Sequence, residues 1–332
     1  MKLFGVGVVG CGLIGQKRAK ALGNGGKLVA CADTDIGRAE ALARSANAKA
    51  FRDWRDLLQS PLVDVVVVAT LHDSLAEITL AAIASGKHVL VEKPAARSAA
   101  ELVAVIEAAA KHGVKVHVGF NHRYHRSLRK AKEIVDSGSL GDLLFVRARY
   151  GHGARLGYEK EWRADPALSG GGELIDQGPH LIDLSRWFLG EITDVQGFAH
   201  TYFWDMPVDD NGFMLLKTAK NQVAFLHASC TEWKNLFSME IYGKIGKLDL
   251  SGLGGSYGLE KITWYKMLPE MGPPETISWE YPMGDDSWSV EIAEFFDDIR
   301  LNRAPAAGLA DAVATLTIVE TIYRNSGYDH SS

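Results

Sequence analysis

Leu3-Phe-Gly-Val-Gly-Val-Val-Gly10-Cys-Gly12-Leu-Ile-Gly15 sets an apolar run of strand length directly before a glycine turn, and a helical pattern follows from Gln16 to Leu22. Gly10 permits the tight turn, Gly12 lets a pyrophosphate approach the backbone, and Gly15 lets helix and strand pack closely. Leu13 and Ile14 then open the helix at its positive end, where phosphates bind. The next apolar run, Lys27 to Ala32, ends at Asp33, placed to accept hydrogen bonds from a ribose. A carboxylate there repels a 2'-phosphate, so the spacing favours NAD over NADP. Arg38 keeps NADP open; its other reading is a solvated side chain on the helix that Asp35 caps.

Downstream the chain alternates. Helical patterns at 39–46, 74–85 and 99–112 separate apolar runs at 64–69, 88–92 and 114–119, which predicts a doubly wound parallel sheet, a Rossmann domain over residues 1–122. Ligands bind such sheets beyond the carboxyl ends of the strands. Thr70, Leu71 and His72, then Glu92, Lys93 and Pro94, then Asn121 to Tyr124 all fall there. Pro94 holds the residue before it extended, which aims Lys93 outward; the plainer reading pairs it with Glu92 or Glu101.

Composition narrows the partner. The 332 residues carry 36 basic and 41 acidic side chains for a net charge of -5, with no basic run, which argues against nucleic acid or membrane surface and for a small molecule. Cys11, Cys31 and Cys230 lack metal-ligand spacing and suit a reducing, cytoplasmic setting. Val8-Val9-Gly10-Cys11 imitates a lipoprotein cleavage box, but the apolar run is too short and too glycine-rich for a signal segment. No run is long enough to span a bilayer.

The second half, residues 123–332, reads as an α+β domain with a large open, mainly antiparallel sheet. Strand-like runs lie at 143–150, 194–202, 212–218, 222–229, 237–242 and 247–250, several joined by hairpin turns. Ser251 to Gly258 resembles a phosphate loop only by glycine count and reads as a flexible loop. Helices are expected at 130–135, 289–301 and 309–323. Seven of the eight tryptophans lie after residue 150, which suits a packed core or a sheet face joining subunits as a homodimer or homotetramer.

Within this half, Gly170 to Trp187 is predicted to form one helix, with Asp176 and His180 at i and i+4 and with Asp183 and Trp187 continuing the row. The two residues form either an acid-base pair or a structural pair in a core helix. The three glycines before them imply that something packs very near, and Pro179 sits awkwardly inside, which predicts a short first turn or a start later than Gly172. His152, Arg155, Tyr158, Trp162 and Arg163 lie between the first strand of this half and the helix, as a loop over the cleft. Trp162 suits a sugar face and the arginines a carboxylate or phosphate; the other reading is a solvated polar loop.

Taken together, Gly10 to Gly15, Asp33, the run from Gly86 to Glu92-Lys93-Pro94, Asn121 with Arg123, Gly138 to Gly141, and Gly170 to Gly172 with Asp176 and His180 resemble the Gfo/Idh/MocA oxidoreductases through nearly the whole chain. The resemblance implies catalysis by Lys93, Asp176 and His180. It extends the cofactor set to Thr70, Leu71, His72, Glu92, Lys93 and Asn121, and the substrate set to Arg123, Tyr124 and the loop residues. Thr70-Leu71-His72 and Leu75 depart from the family's usual Thr-Pro-Asn and later His, so the nicotinamide-side loop is expected to differ in shape.

These roles imply hydride transfer between NAD and a secondary alcohol or ketone of a sugar, sugar acid, nucleotide sugar or cyclitol. His180 acts as base, Asp176 orients it, and Lys93 stabilises the developing alkoxide. No metal is expected. The alternative is a dinucleotide or metabolite sensor on the same fold, which has no need of a proton relay.

Overall fold

Six short apolar segments, β1 (Phe4–Val9), β2 (Gly26–Ala32), β3 (Lys49–Phe51), β4 (Val65–Val68), β5 (His88–Val91) and β6 (Val116–Val118), pair in parallel in the order β3-β2-β1-β4-β5-β6. β4 is four valines, all buried, as a strand covered on both faces must be. In this computed structural model residues 3–268, 270 and 272–328 are described. Two compact units divide them.

The first unit is not the continuous stretch that the sequence suggests. It ends at Phe120, and Trp288–Leu316 returns to it much later in the chain. The reason is apolar complementarity. Ile292, Phe295 and Phe296 of the Ser287–Arg300 helix join Phe4, Val6, Leu28, Cys31 and Leu90 in one buried cluster, and Phe296 stacks on Phe4 with ring centroids 5.2 Å apart. The same helix brings Glu291 to the fully buried Arg18, which also pairs with Glu92 at 2.6 Å and lies over the Trp288 ring. His117 Nε2 completes the cluster at 3.2 Å from Glu291.

The second unit, Asn121–Ser287 with the residues from Thr317, holds an eight-stranded sheet. Its strands are β7 (Leu143–Gly151), β8 (Ile192–His200), β9 (Asn211–Thr218), β10 (Val223–Ser229), β11 (Leu236–Gly243), β12 (Gly246–Ser251), β13 (Glu260–Lys266) and β14 (Glu275–Tyr281), in the order β14-β13-β12-β11-β7-β10-β9-β8. β7 and β10 are parallel; the other neighbours are antiparallel. One face buries Val146, Ala148, Leu216, Leu226, Met239 and Ile241, while Leu215 and Phe225 of the same strands, and Phe198 of β8, are exposed.

The expected single helix from Gly170 to Trp187 is two helices, Glu173–Asp176 and Gly178–Leu189, with Gln177 between them. Pro179 lacks an amide donor and its ring crowds the preceding turn, so the second helix starts anew with proline in its first turn. Asp176 and His180 therefore flank a break rather than share one helix face. The closely packed neighbours implied by the glycines are Tyr323 and Asp209: a Cβ on Gly171 would lie 2.3 Å from the Tyr323 hydroxyl, and one on Gly172 1.9 Å from the Asp209 carbonyl.

Candidate active site

In the first unit, the glycine turn separates its two tasks by sterics. Gly10 has φ +88, and a Cβ on Gly15 would stand 1.9 Å from the Gly10 carbonyl, whereas one on Gly12 would have no heavy atom within 4 Å. That open approach at the start of the Leu13–Lys20 helix fits a pyrophosphate. Leu13 is exposed beside it and Ile14 half-buried. The Asp33 carboxylate accepts from Cys11 N at 2.8 Å and from Asp35 N at 2.9 Å, which fixes it beside the turn. Asp35 caps its helix through Gly37 N, and Arg38 is exposed, 3.4 Å from Asp35. We expect Gly12→Val to keep the wild-type melting temperature but lose the thermal shift given by NADH, and Gly15→Ala to lose roughly 1–3 kcal/mol of stability. A normal NADH shift in Gly12→Val counts against this assignment.

At the other strand ends, Thr70 Oγ1 accepts from Ser74 Oγ at 3.0 Å, and Leu71 caps a helix, His72–Ala84, that opens at a buried His72. Glu92 turns its carboxylate to Arg18 rather than to Lys93, and Glu101 is held by Arg97, so neither plain pairing offered for Lys93 is the principal one for those acids. Lys93 itself is half-buried ahead of Pro94.

In the second unit a short helical turn, Asn121–Tyr124, carries Asn121, His122, Arg123 and Tyr124, all buried. The Asn121 amide donates to Ser287 Oγ at 3.0 Å. Arg123 grips Asp183 through two hydrogen bonds, one of 2.8 Å, with both side chains buried. This makes Arg123 and Asp183 a brace between the turn and the Gly178–Leu189 helix. Trp187 lies over the Lys132 ammonium at 5.5 Å.

His180 is buried in the first turn of its helix, and His122 meets it edge-to-face with ring centroids 3.7 Å apart. Tyr150 of β7 stands edge-on to both imidazoles, at 5.9 Å from His180 and 4.8 Å from His122. Burial first, then the neighbouring Tyr257, Asp176 and Glu173, raises the Tyr150 phenol well above its ordinary range. Asp176, also buried, accepts from Arg163 Nε at 2.8 Å, and its charge holds the Arg163 guanidinium above the usual range. Arg163 covers the Trp162 ring at 4.6 Å, and Arg155, largely exposed, pairs with Glu161 at 2.7 Å. Both arginines expected to grip an anion are thus engaged by carboxylates.

His152 accepts from Ala154 N at Nδ1, which leaves the hydrogen on Nε2, 3.6 Å from buried Glu173. Burial lowers its pKa, and Tyr158 packs edge-to-face against it. His122, Tyr150 and Glu173 were not singled out in the sequence; only the tertiary fold brings them here.

Asp209 anchors the floor. It accepts from Leu174 N at 2.7 Å, Gly172 N at 3.0 Å and the Tyr323 hydroxyl at 2.7 Å, while burial pushes its carboxyl up to about 6. A raised native pKa means that its contribution to stability is complete below about pH 4 and is lost as pH rises through 6. Asp209→Asn has no such slope. Relative to wild type, the variant is expected to gain roughly 3 kcal/mol between pH 4 and 7 in urea unfolding; parallel pH curves contradict this.

Residues 4–120 match the profile described as an oxidoreductase family with an NAD-binding Rossmann fold, and residues 128–249 match the GFO/IDH/MocA C-terminal domain. Inositol 2-dehydrogenase of Salmonella paratyphi B is 33% identical over 310 residues, covering 90% of this chain and 87% of that protein. Levoglucosan dehydrogenase of Pseudarthrobacter phenanthrenivorans is 31% identical over 196 residues, 58% of this chain and 50% of its own length. A solved levoglucosan dehydrogenase with NADH and levoglucosan superposes with TM-score 0.89 at 22% identity, covering 98% of each chain. The chain belongs to the GFO/IDH/MocA family of NAD-binding oxidoreductases.

Proposed function

We propose that this oxidoreductase transfers hydride between NAD and a secondary alcohol or ketone on a neutral sugar, sugar derivative or cyclitol. The observation that carries the reading is the buried His180 imidazole on its helix turn, meeting the Tyr150 ring edge-on, with buried Asp176, held by half-buried Arg163, acting on the same phenol. NAD supplies the hydride acceptor, held at Gly10, Gly12, Leu13, Ile14, Gly15 and Asp33. His180 takes the carbinol proton, Asp176 favours the imidazolium that results, and Lys93 donates a hydrogen bond to the oxygen as charge builds on it. Asp33 supports NAD over NADP.

Engagement of Arg155 by Glu161 and of Arg163 by Asp176 favours a neutral ring over a sugar acid or nucleotide sugar. The inositol and levoglucosan named for the relatives are of that neutral class. The exposed Phe198, Leu215 and Phe225, with Phe225 and Leu215 paired across β10 and β9, support a homodimer or homotetramer joined through the sheet. Three buried free thiols suit a cytoplasmic protein. Among the described residues no helix is long and apolar enough to cross a membrane.

The test is NADH formation, with NAD and NADP in parallel, across free sugars, inositols, sugar acids and nucleotide sugars. Turnover confined to neutral polyols with NAD supports the reading. Preference for an acidic substrate overturns its charge argument, and silence throughout with NAD still bound moves weight to a sensor.

A further inference from the structure

The glycine-rich segment Ser251–Gly258, expected to be a flexible loop, is a built turn. Gly252, Gly254, Gly255 and Gly258 all have positive φ. Its backbone is tied by Gly252 N to Phe237 O at 3.1 Å, Gly258 N to Gly255 O at 3.2 Å and Asn235 Nδ2 to Ser256 O at 3.1 Å. Gly254 N points at buried Glu260, whose other oxygen receives Ser127 N at 2.6 Å. This scaffold buries Leu253 and sets Tyr257 against Tyr150, ring centroids 5.0 Å apart, on the residue that stands edge-on to His180.

Tyr257 is half-buried and its phenol feels the charges of Glu173, Asp176 and Arg163, which places it at the same cluster. Burial and the two carboxylates keep it a neutral O–H donor. A half-exposed phenol of this kind, held one ring away from a buried imidazole, offers a ring hydroxyl a hydrogen bond and an apolar C–H face a flat surface. We propose that Tyr257 is a specificity-determining residue that binds a hydroxyl of the polyol ring beside the one oxidised; this rests on the reading of His180 as the catalytic base.

The experiment uses the full chain and the neutral polyol with the fastest turnover in the panel, with melting temperature confirming that each variant folds. Tyr257→Phe is expected to raise KM roughly 2- to 10-fold, the usual worth of one neutral hydrogen bond, while kcat falls less. Tyr257→Ala raises KM further. Deoxy analogues of the polyol, each lacking one hydroxyl, supply the readout that a merely structural role does not move: for one of them wild type and Tyr257→Phe have the same KM. If both variants keep the wild-type KM while His180→Ala is inactive, the Tyr257 assignment is wrong and the site stands. If His180→Ala retains full activity, the site reading falls and the assignment with it.

Discussion

His180→Ala lowers kcat by roughly a hundred- to ten-thousand-fold, the usual contribution of one positioned acid-base group, and leaves NADH binding unchanged. The imidazole is buried, and Tyr150 beside it, its phenol raised well above its ordinary pKa, does not replace a base at neutral pH. Lys93→Ala carries the same expectation, because a lysine that donates only to developing charge acts on kcat and not on cofactor affinity. Steady-state kinetics beside a fluorescence titration of NADH separates the effects. Full activity in the His180 variant removes it from the chemistry, and loss of NADH binding moves the residue to cofactor contact.

Arg18→Met destabilises the protein by roughly 3–5 kcal/mol, the cost of leaving buried charges without their partner. Arg18 is fully buried and divides its guanidinium between the buried Glu92 and Glu291, so its removal strands two carboxylates at once. Replacing all three members with apolar residues of similar volume, Arg18→Met with Glu92→Leu and Glu291→Leu, recovers much of the loss, since the triad costs desolvation that an apolar cluster does not. Urea unfolding measures both. A change below about 1 kcal/mol in the single variant, the range of an exposed pair, contradicts the burial argument.

Local chemistry made much of this readable in advance. β1, β2, β4 and β5 stand out because fully buried parallel strands are nearly pure apolar runs, and the glycine turn because its steric demands fall on three fixed positions. β3 has three residues, and β13 and β14 mix charge with aromatics at the rim of the sheet; neither pattern separates a strand from a loop. At the site, Asp176 and His180 announce themselves by residue type, but what each touches does not. The Arg163–Asp176 and Arg123–Asp183 pairs join residues on different elements, and nothing short of the fold distinguishes a guanidinium awaiting an anion from one already holding a carboxylate. Membership of the Ser287–Arg300 helix is of the same kind: its apolar stripe fits either core until Phe4 and Arg18 select it.

That return of Trp288–Leu316 sets an order of events on the ribosome. At roughly 5–20 residues per second, Glu291 leaves the ribosome on the order of ten to thirty seconds after Phe120. Throughout that interval the nascent nucleotide-binding unit lacks the side chains that cover Phe4 and Leu28 and the carboxylate that shares Arg18. The newborn chain is therefore exposed to chaperone capture there, and a gene cut after codon 120 encodes a sticky fragment rather than a free-standing NAD domain.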